Sequence, residues 1–218
     1  MTEQNKKFIT TKTQVLKAFP NGIEKFEIGS GTNPEPGYVP SDIQPSPEVS
    51  ILADTRKLPL PDNFVREEVR AVHIMEHFCH PEFSSEQMRR NIGTTTEVLS
   101  EIYRVLSPGG RFFMVTPDYE KICISAANKK VSFDRLQRWT VGGHLNNFDV
   151  HHWLWTHADA RNWFGEVGFV DLEDCNPVNG WKNQRKLDWQ DPLTKPNQNW
   201  FKTEWHHWLF FTGTKPRK

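Results

Sequence analysis

Two periods of apolar and polar residues run through this chain. Residues 25–29 (KFEIG), 38–42 (YVPSD), 49–53 (VSILA), 69–75 (VRAVHIM) and 111–116 (RFFMVT) are short runs with β-branched and aromatic residues, and they predict strands. The apolar content of the third to fifth suits a sheet covered on both faces. Between the last two, Val98, Leu99, Ile102, Val105 and Leu106 recur at the helical period. They predict one helix over roughly 84–106, opened by Ser84 or Ser85 and stopped by Pro108-Gly109-Gly110. VLKAF at 15–19 predicts a short helix, HADARNWFGEV at 157–167 a helix ended by Gly168, FVDLED at 169–174 a strand, and WHHWLFFTGTK at 205–215 the last strand. Residues 175–202 are polar and predict a long loop.

The connection between the first two strands is too short for its usual helix. From Gly29 to Asp42 is 13 positions, whereas a dinucleotide fingerprint places its ribose-binding acid about 20 residues on, behind a helix. A pyrophosphate needs that helix N-terminus. S-adenosylmethionine has no phosphate and needs a turn that accepts close approach, which Gly29 and Gly31 allow, and an acid for the ribose hydroxyls, which Asp42 supplies. The spacing therefore disfavours a nicotinamide cofactor, and residues 30–37 are expected to be loop.

Composition narrows the class further. With 218 residues, 27 Lys plus Arg against 27 Asp plus Glu and a sequence pI of about 7.1, the chain suits one α/β domain with no general attraction to nucleic acid or anionic membrane. Cys79, Cys123 and Cys175 are odd in number and far apart, which argues for a reducing compartment. The polar N-terminus and the lack of an 18-residue apolar run predict a cytoplasmic protein without a membrane span. All nine tryptophans lie at or beyond Trp139. This shift divides the expected single domain into an N-terminal extension (1–24), a cofactor half (25–138) and an acceptor half (139–218).

FEIGSGTNPEPGYVPSDI, LADTRKLPLPDN, AVHIMEHF and LSEIYRVLSPGGRFFMVTPD, in that order, resemble the successive motifs of class I S-adenosylmethionine-dependent methyltransferases. More narrowly, they resemble predicted methyltransferases associated with polysaccharide biosynthesis. The likeness runs from about 25 to 118 and again through GEVGFVDLED, roughly half the chain. It implies a Rossmann-like α/β fold: a seven-stranded, mostly parallel sheet of order 3-2-1-4-5-7-6, the seventh strand antiparallel, with helices on both faces. It also implies S-adenosylmethionine as cofactor, with Glu27, Gly29 and Gly31 around its methionine part, Asp42 on the ribose and Asp54 with Thr55 on the adenine amino group. Met75, Glu76 and His77 would lie beneath it, in the loop after the fourth strand with His73. Asn33 and Pro34 stand where a fuller motif would continue into a helix. No Asn-Pro-Pro-Tyr type sequence follows the fourth strand, which speaks against methylation of exocyclic amino groups on DNA bases.

Methyl transfer is an in-line displacement governed by orientation, and a hydroxyl acceptor must also lose a proton, most often to His. GGHLNNFDVHHW at 142–153 supplies a flexible Gly142-Gly143 pair and the titratable residues His144, Asp149, His151 and His152. The resembling family carries a Gly-Gly segment and a later His here, which makes His151 or His152 the candidate base, with Asp149 as orienting partner. In HIMEHFCHPE, Glu76 and His77 either shape the loop by hydrogen bonding or join His80 and Glu82 around a metal. No spacing there is diagnostic, and no metal is assigned. Asp118 is read as a rim acid or a plain turn residue. Trp163 is assigned to the core, Trp153 and Trp155 to an aromatic wall or an interface, and Trp205 and Trp208 to the last strand or a homodimer interface. Lys182, Arg185, Lys186 and Lys215 to Lys218 form a solvated face or meet a charged acceptor. The function expected is methyl transfer to a hydroxyl of a small-molecule or glycan acceptor. A non-catalytic cofactor- or protein-binding domain is the alternative, and a nicotinamide-dependent oxidoreductase is a second, disfavoured rival.

Overall fold

The computed structural model describes residues 8–175 and 207–217. Seven strands form one sheet: β1 (Ile23–Ile28), β2 (Val39–Asp42), β3 (Ile51–Leu52), β4 (Val65–Val72), β5 (Arg111–Pro117), β6 (Val170–Asp174) and β7 (Trp208–Thr214), in the order β3-β2-β1-β4-β5-β7-β6. Strands β1 to β5 pair in parallel, and β7 runs antiparallel to both β5 and β6. This is the expected fold. Apart from Cys175, the residues assigned to the long loop, together with Trp205, Lys182, Arg185, Lys186 and Lys218, lie outside the described residues.

Around the sheet run α1 (Lys12–Ala18), α2 (Glu86–Ile92), α3 (Thr95–Val105), α4 (Tyr119–Ala127), α5 (Phe133–Val141) and α6 (His157–Val167), with a 3-10 turn at Met75–His77. The helix expected across 84–106 is two helices. Gly93, at φ +87, ends α2, and Thr94 opens α3 with a capping box in which Glu97 reaches back to the Thr94 amide. That Thr-x-x-Glu signal lies in the sequence itself. Helices α4 and α5 were not anticipated; Asp118, expected at the rim or in a turn, is the buried N-cap of α4. No helix among the described residues is long and apolar enough to cross a membrane.

One face of the sheet is apolar. Phe26 and Ile28 of β1, Val69 and Ala71 of β4, and Phe112 and Met114 of β5 pack in one cluster with Val98, Leu99 and Ile102 of α3 and Trp163 and Phe164 of α6. The other face carries charge. Because side chains alternate along a strand, the next row, Glu27, Arg70 and Phe113 in register, points the opposite way, followed by Glu68 beside Arg111. Residues 29–38 have no helix, as the short spacing requires, yet β1 and β2 remain parallel. The loop covers the charged row with groups that match it. Glu35 pairs with Arg70 and donates its amide to Glu27 (2.7 Å), while Tyr38 donates its hydroxyl to Glu68, which also pairs with Arg111. Buried charges are tolerated when paired and hydrogen-bonded in this way.

Candidate functional site

A cavity of about 320 Å³ opens at the carboxyl ends of β1 to β4, the edge where open α/β sheets place ligands and within the usual volume range for small-molecule pockets. Gly29 follows β1, Asp42 ends β2, Asp54 and Thr55 follow β3, and Ile74 and His77 follow β4. The facing wall comes from the loop after α5, with Asp149, Val150 and His152. Two segments that the sequence suggested separately, 29–77 and 146–152, thus enclose one space.

The turn after β1 depends on its glycines. Gly29 has φ +62, and a Cβ there would lie 1.9 Å from Ile74 Cδ1. Gly31, at φ +56, donates its amide to Asp42 Oδ2 (2.9 Å), while the Gln44 amide donates to Oδ1 (2.8 Å). The Asp42 carboxylate thereby ties the turn to the end of β2. Asp54 is held by Arg56, whose amide (2.9 Å), Nε (3.0 Å) and Nη2 (2.6 Å) all donate to it. Burial raises the Asp54 carboxyl, but the hydrogen bonds from Arg56 outweigh this and keep it below its ordinary value. Three carboxylates, of Asp42, Asp54 and Asp149, therefore line the cavity against one guanidinium that is already paired. Such a lining favours a cationic ligand that offers hydroxyl or amino donors, and it repels a pyrophosphate.

Several expected residues lie elsewhere. Glu27 sits in the charged row, engaged by Glu35 and Arg70, and Met75 is buried in the apolar core. Gly31 is not in the cavity lining, and its amide is engaged by Asp42. His144 is exposed, with its amide donating to the Asp149 carbonyl (2.9 Å). The Gly142-Gly143 pair serves its own loop: a Cβ on Gly142 would meet the Asp149 carbonyl at 2.5 Å, and one on Gly143 the Asp149 Oδ2 at 2.4 Å. Asp149 accepts from the Leu145 amide (3.2 Å), and it is the Trp139 carbonyl, at 3.1 Å from Nδ1, that orients His151.

The loop after α5 is fastened to the 3-10 turn, because the His152 and Trp153 amides both donate to the Glu76 carbonyl (2.8 and 3.2 Å). This places His152 in the cavity wall and turns His151 towards Glu76 and His77. Burial lowers the pKa of both His151 and His152, so both are neutral at pH 7. Burial alone would raise the Glu76 carboxyl, but a hydrogen bond from His73 and the field of His73, His77 and His151 pull it well below its usual range. His80 is set apart from this group: its Nδ1 accepts the Glu82 and Phe83 amides (3.0 and 3.2 Å), and its ring packs on Phe83 and Trp153. Trp155, expected in a wall or an interface, is fully buried core against Trp163. Trp208 lies buried in β7 with its ring edge-on to His73.

Arg56, Ile43 and Phe148, none of them among the residues expected from the sequence, also form the cavity wall. Only Arg56 had a local signal, two positions after the acid it neutralises. Ile43 and Phe148 are about half exposed, and such scattered surface apolar residues carry no signal of their own.

The backbone as a whole is similar to solved methyltransferases. The CMeT domain of the citrinin polyketide synthase matches with a TM-score of 0.51 at 11% identity, over 90% of this chain and 47% of that one. The CurJ carbon methyltransferase matches at 0.50 and 13%, over 94% and 54%. A Haloferax volcanii methyltransferase solved with the Trm112 activator matches at 0.48 and 16%, over 95% and 89%. The chain spans about half the length of the first two. No protein-family model and no curated protein matches the sequence. At such identities the likeness to the first two establishes the fold alone, a Rossmann-like methyltransferase architecture.

Proposed function

We propose that this chain transfers a methyl group from S-adenosylmethionine to a hydroxyl of a small-molecule or saccharide acceptor, with residues 25–138 gripping the donor and 139–218 the acceptor. The observation that carries the donor is the charge of the cavity. Its three carboxylates and one neutralised guanidinium suit a ligand with a net positive charge, a ribose diol and an adenine amino group, and they oppose a dinucleotide. Asp42 would hold the ribose hydroxyls, and Asp54 and Thr55 the adenine amino group. Gly29 would lie along the methionine part, in a turn that the Gly31 amide ties to Asp42. Ile74 and Ile43 offer the apolar contact that a planar base needs.

Bound there, S-adenosylmethionine supplies an electrophilic methyl on a sulfonium. The chain's own part is to align the acceptor in front of it, since orientation supplies much of the rate in such displacements, and to take the hydroxyl proton. His152, neutral and facing the cavity from the acceptor side, is the base in this reading. The saccharide class of acceptor rests on the sequence resemblance around the β1–β2 turn.

Calorimetry tests the donor. S-adenosylhomocysteine should bind and NADH should not; the reverse would sink this reading. Asp42→Ala and Asp54→Ala should each weaken S-adenosylhomocysteine by about 1–3 kcal/mol, the scale of leaving polar partners unpaired, and unchanged affinity in both would remove the assigned site. Turnover is sought by offering labelled donor with nucleotide sugars, glycans and small metabolites. His152→Ala should lower it with donor affinity intact. Donor binding without transfer to any acceptor would mark a non-catalytic methyltransferase-like binding domain.

A further inference from the structure

Beside the cavity, where the 3-10 turn meets the loop after α5, three side chains converge. One ligand atom from each of Glu76, His77 and His151 lies within 4.8 Å of the other two, and the two imidazoles stand with ring centroids 5.0 Å apart. Their hydrogen bonds decide which nitrogens they present. His77 Nδ1 lies 2.9 Å from the Val150 carbonyl and His151 Nδ1 3.1 Å from the Trp139 carbonyl. A carbonyl can only accept, so each Nδ1 carries the proton and each neutral ring has its lone pair on Nε2. Histidines that bind metals are oriented in this way, with the second nitrogen donating to a backbone carbonyl or a carboxylate.

The carboxylate is prepared as well. Glu76 is about 1% exposed, with Oε1 accepting from His73 Nδ1 and Oε2 from the Thr116 hydroxyl, both at 3.0 Å. His73 reaches it from a left-handed backbone, φ +55, which an ordinary residue adopts at some cost. Three candidate ligands are thus each held by an outer hydrogen bond, and a buried anion stands among imidazoles, where a buried charge requires a counter-charge or a metal. Ligands bound at about 2.0–2.2 Å lie at most about 4.4 Å apart, close to the 4.8 Å within which each of the three residues places a ligand atom.

We propose that Glu76, His77 and His151 bind one divalent transition-metal ion of the zinc or ferrous kind, with a coordination position open to the cavity through the side of His77. Two imidazoles and one carboxylate suit such ions and leave room for a water or another oxygen ligand. Metal binding stands independently of methyl transfer. Only the identity of the oxygen gathered at the open position, an acceptor hydroxyl, rests on the function proposed above. In this assignment His151 is a ligand, and the role of base falls to His152 alone. The sequence hides the site because its third ligand lies far from the first two, and because of the nearer candidates His80 is taken by local bonds and Glu82 is exposed.

The test uses untagged protein stripped by a chelator. Co2+ titration should give a visible ligand-field band that saturates at one equivalent, displaced by Zn2+, and Zn2+ competition against a chromophoric chelator should give its affinity. His77→Ala and His151→Ala should each weaken Zn2+ by on the order of a hundredfold or more, and Thr116→Val by roughly tenfold, the range for outer-sphere partners. His144→Ala, on the exposed part of the same loop, should bind as wild type. The proposal is overturned if the wild type takes up no stoichiometric ion or several weak ones, or if both ligand variants bind as wild type. S-adenosylhomocysteine affinity, measured on the metal-free protein, keeps the two proposals separate: donor binding without a metal site sinks this one alone, and a metal site without donor binding sinks only the other.

Discussion

Replacing Gly29 by Ala tests how the cavity is built. The new Cβ would lie 1.9 Å from Ile74 Cδ1 and 2.4 Å from its Cγ1, on a backbone at φ +62. The left-handed conformation costs a residue with a Cβ about 1–2 kcal/mol, and forcing carbon into occupied space typically costs about 1–3 kcal/mol more. Together they predict a loss of about 2–5 kcal/mol for Gly29→Ala. Rotation of Ile74 gives little relief, because a β-branched side chain is stiff at χ1 and this one forms the cavity wall. Gly31→Ala is the control, since it has φ +56 but nothing within 4 Å of the added Cβ; it should pay only the backbone part, about 1–2 kcal/mol. In Gly29→Ala/Ile74→Ala the nearest remaining side-chain atom is Ile74 Cβ at 3.6 Å, an ordinary contact. The double variant should therefore recover about 1–3 kcal/mol relative to the sum of the single losses. Urea denaturation of the four variants measures these terms, and calorimetry with S-adenosylhomocysteine should show Gly29→Ala as the weaker binder of the two glycine variants. Equal losses at Gly29 and Gly31, or additivity with Ile74→Ala, would refute the account of a turn fitted against Ile74.

Two further predictions concern the charged groups of the fold. Arg70→Ala leaves the buried carboxylates of Glu27 and Glu35 without their cation and should cost about 3–5 kcal/mol at pH 7, read from the urea midpoint; a loss below about 1 kcal/mol would mean that the loop does not depend on the network. Glu27 is already raised by burial, with Arg70 opposing, so the loss should shrink as the pH falls towards the ordinary carboxylate value and grow as it rises through the raised one. His157 is raised above 6.5 chiefly by its hydrogen bond to Asp118 (3.1 Å), against burial. Its contribution should be fully present below about pH 6.5 and be lost as the pH rises through the higher folded value. For a half-buried group this is about 1 kcal/mol or less, and His157→Gln should flatten that part of the stability profile; an unaltered profile in the variant would count against the pairing.

Much of the fold was legible along the chain. Each strand overlaps a segment expected from the sequence, although β4 begins at Val65, four residues before the expected start, and the 157–167 helix is delimited by its period and by Gly168. The split at Gly93 is masked because the apolar period continues across it, although Thr94 and Glu97 spell a capping box. The α4 and α5 helices went unread; α5 is amphipathic yet buries no residue fully, so no core periodicity declares it.

What the sequence by itself determined is whatever follows from local dihedral preference and strand or helix period. The glycine and proline turn without a helix, the strand succession, and the acids at the ends of β2 and β3 all belong to that class. What only the tertiary structure decided is which polar atom meets which. Glu27, Glu68 and Arg70 sit among apolar residues of β1 and β4, the latter expected to be covered on both faces, and what covers them is a loop carrying Glu35 and Tyr38 in place of a helix. His151 and His152 are adjacent and chemically identical, and only the bonds from the 152 and 153 amides to the Glu76 carbonyl send one into the cavity wall and the other to Glu76 and His77. Those contacts close long loops, and their geometry is set by packing that no local pattern encodes.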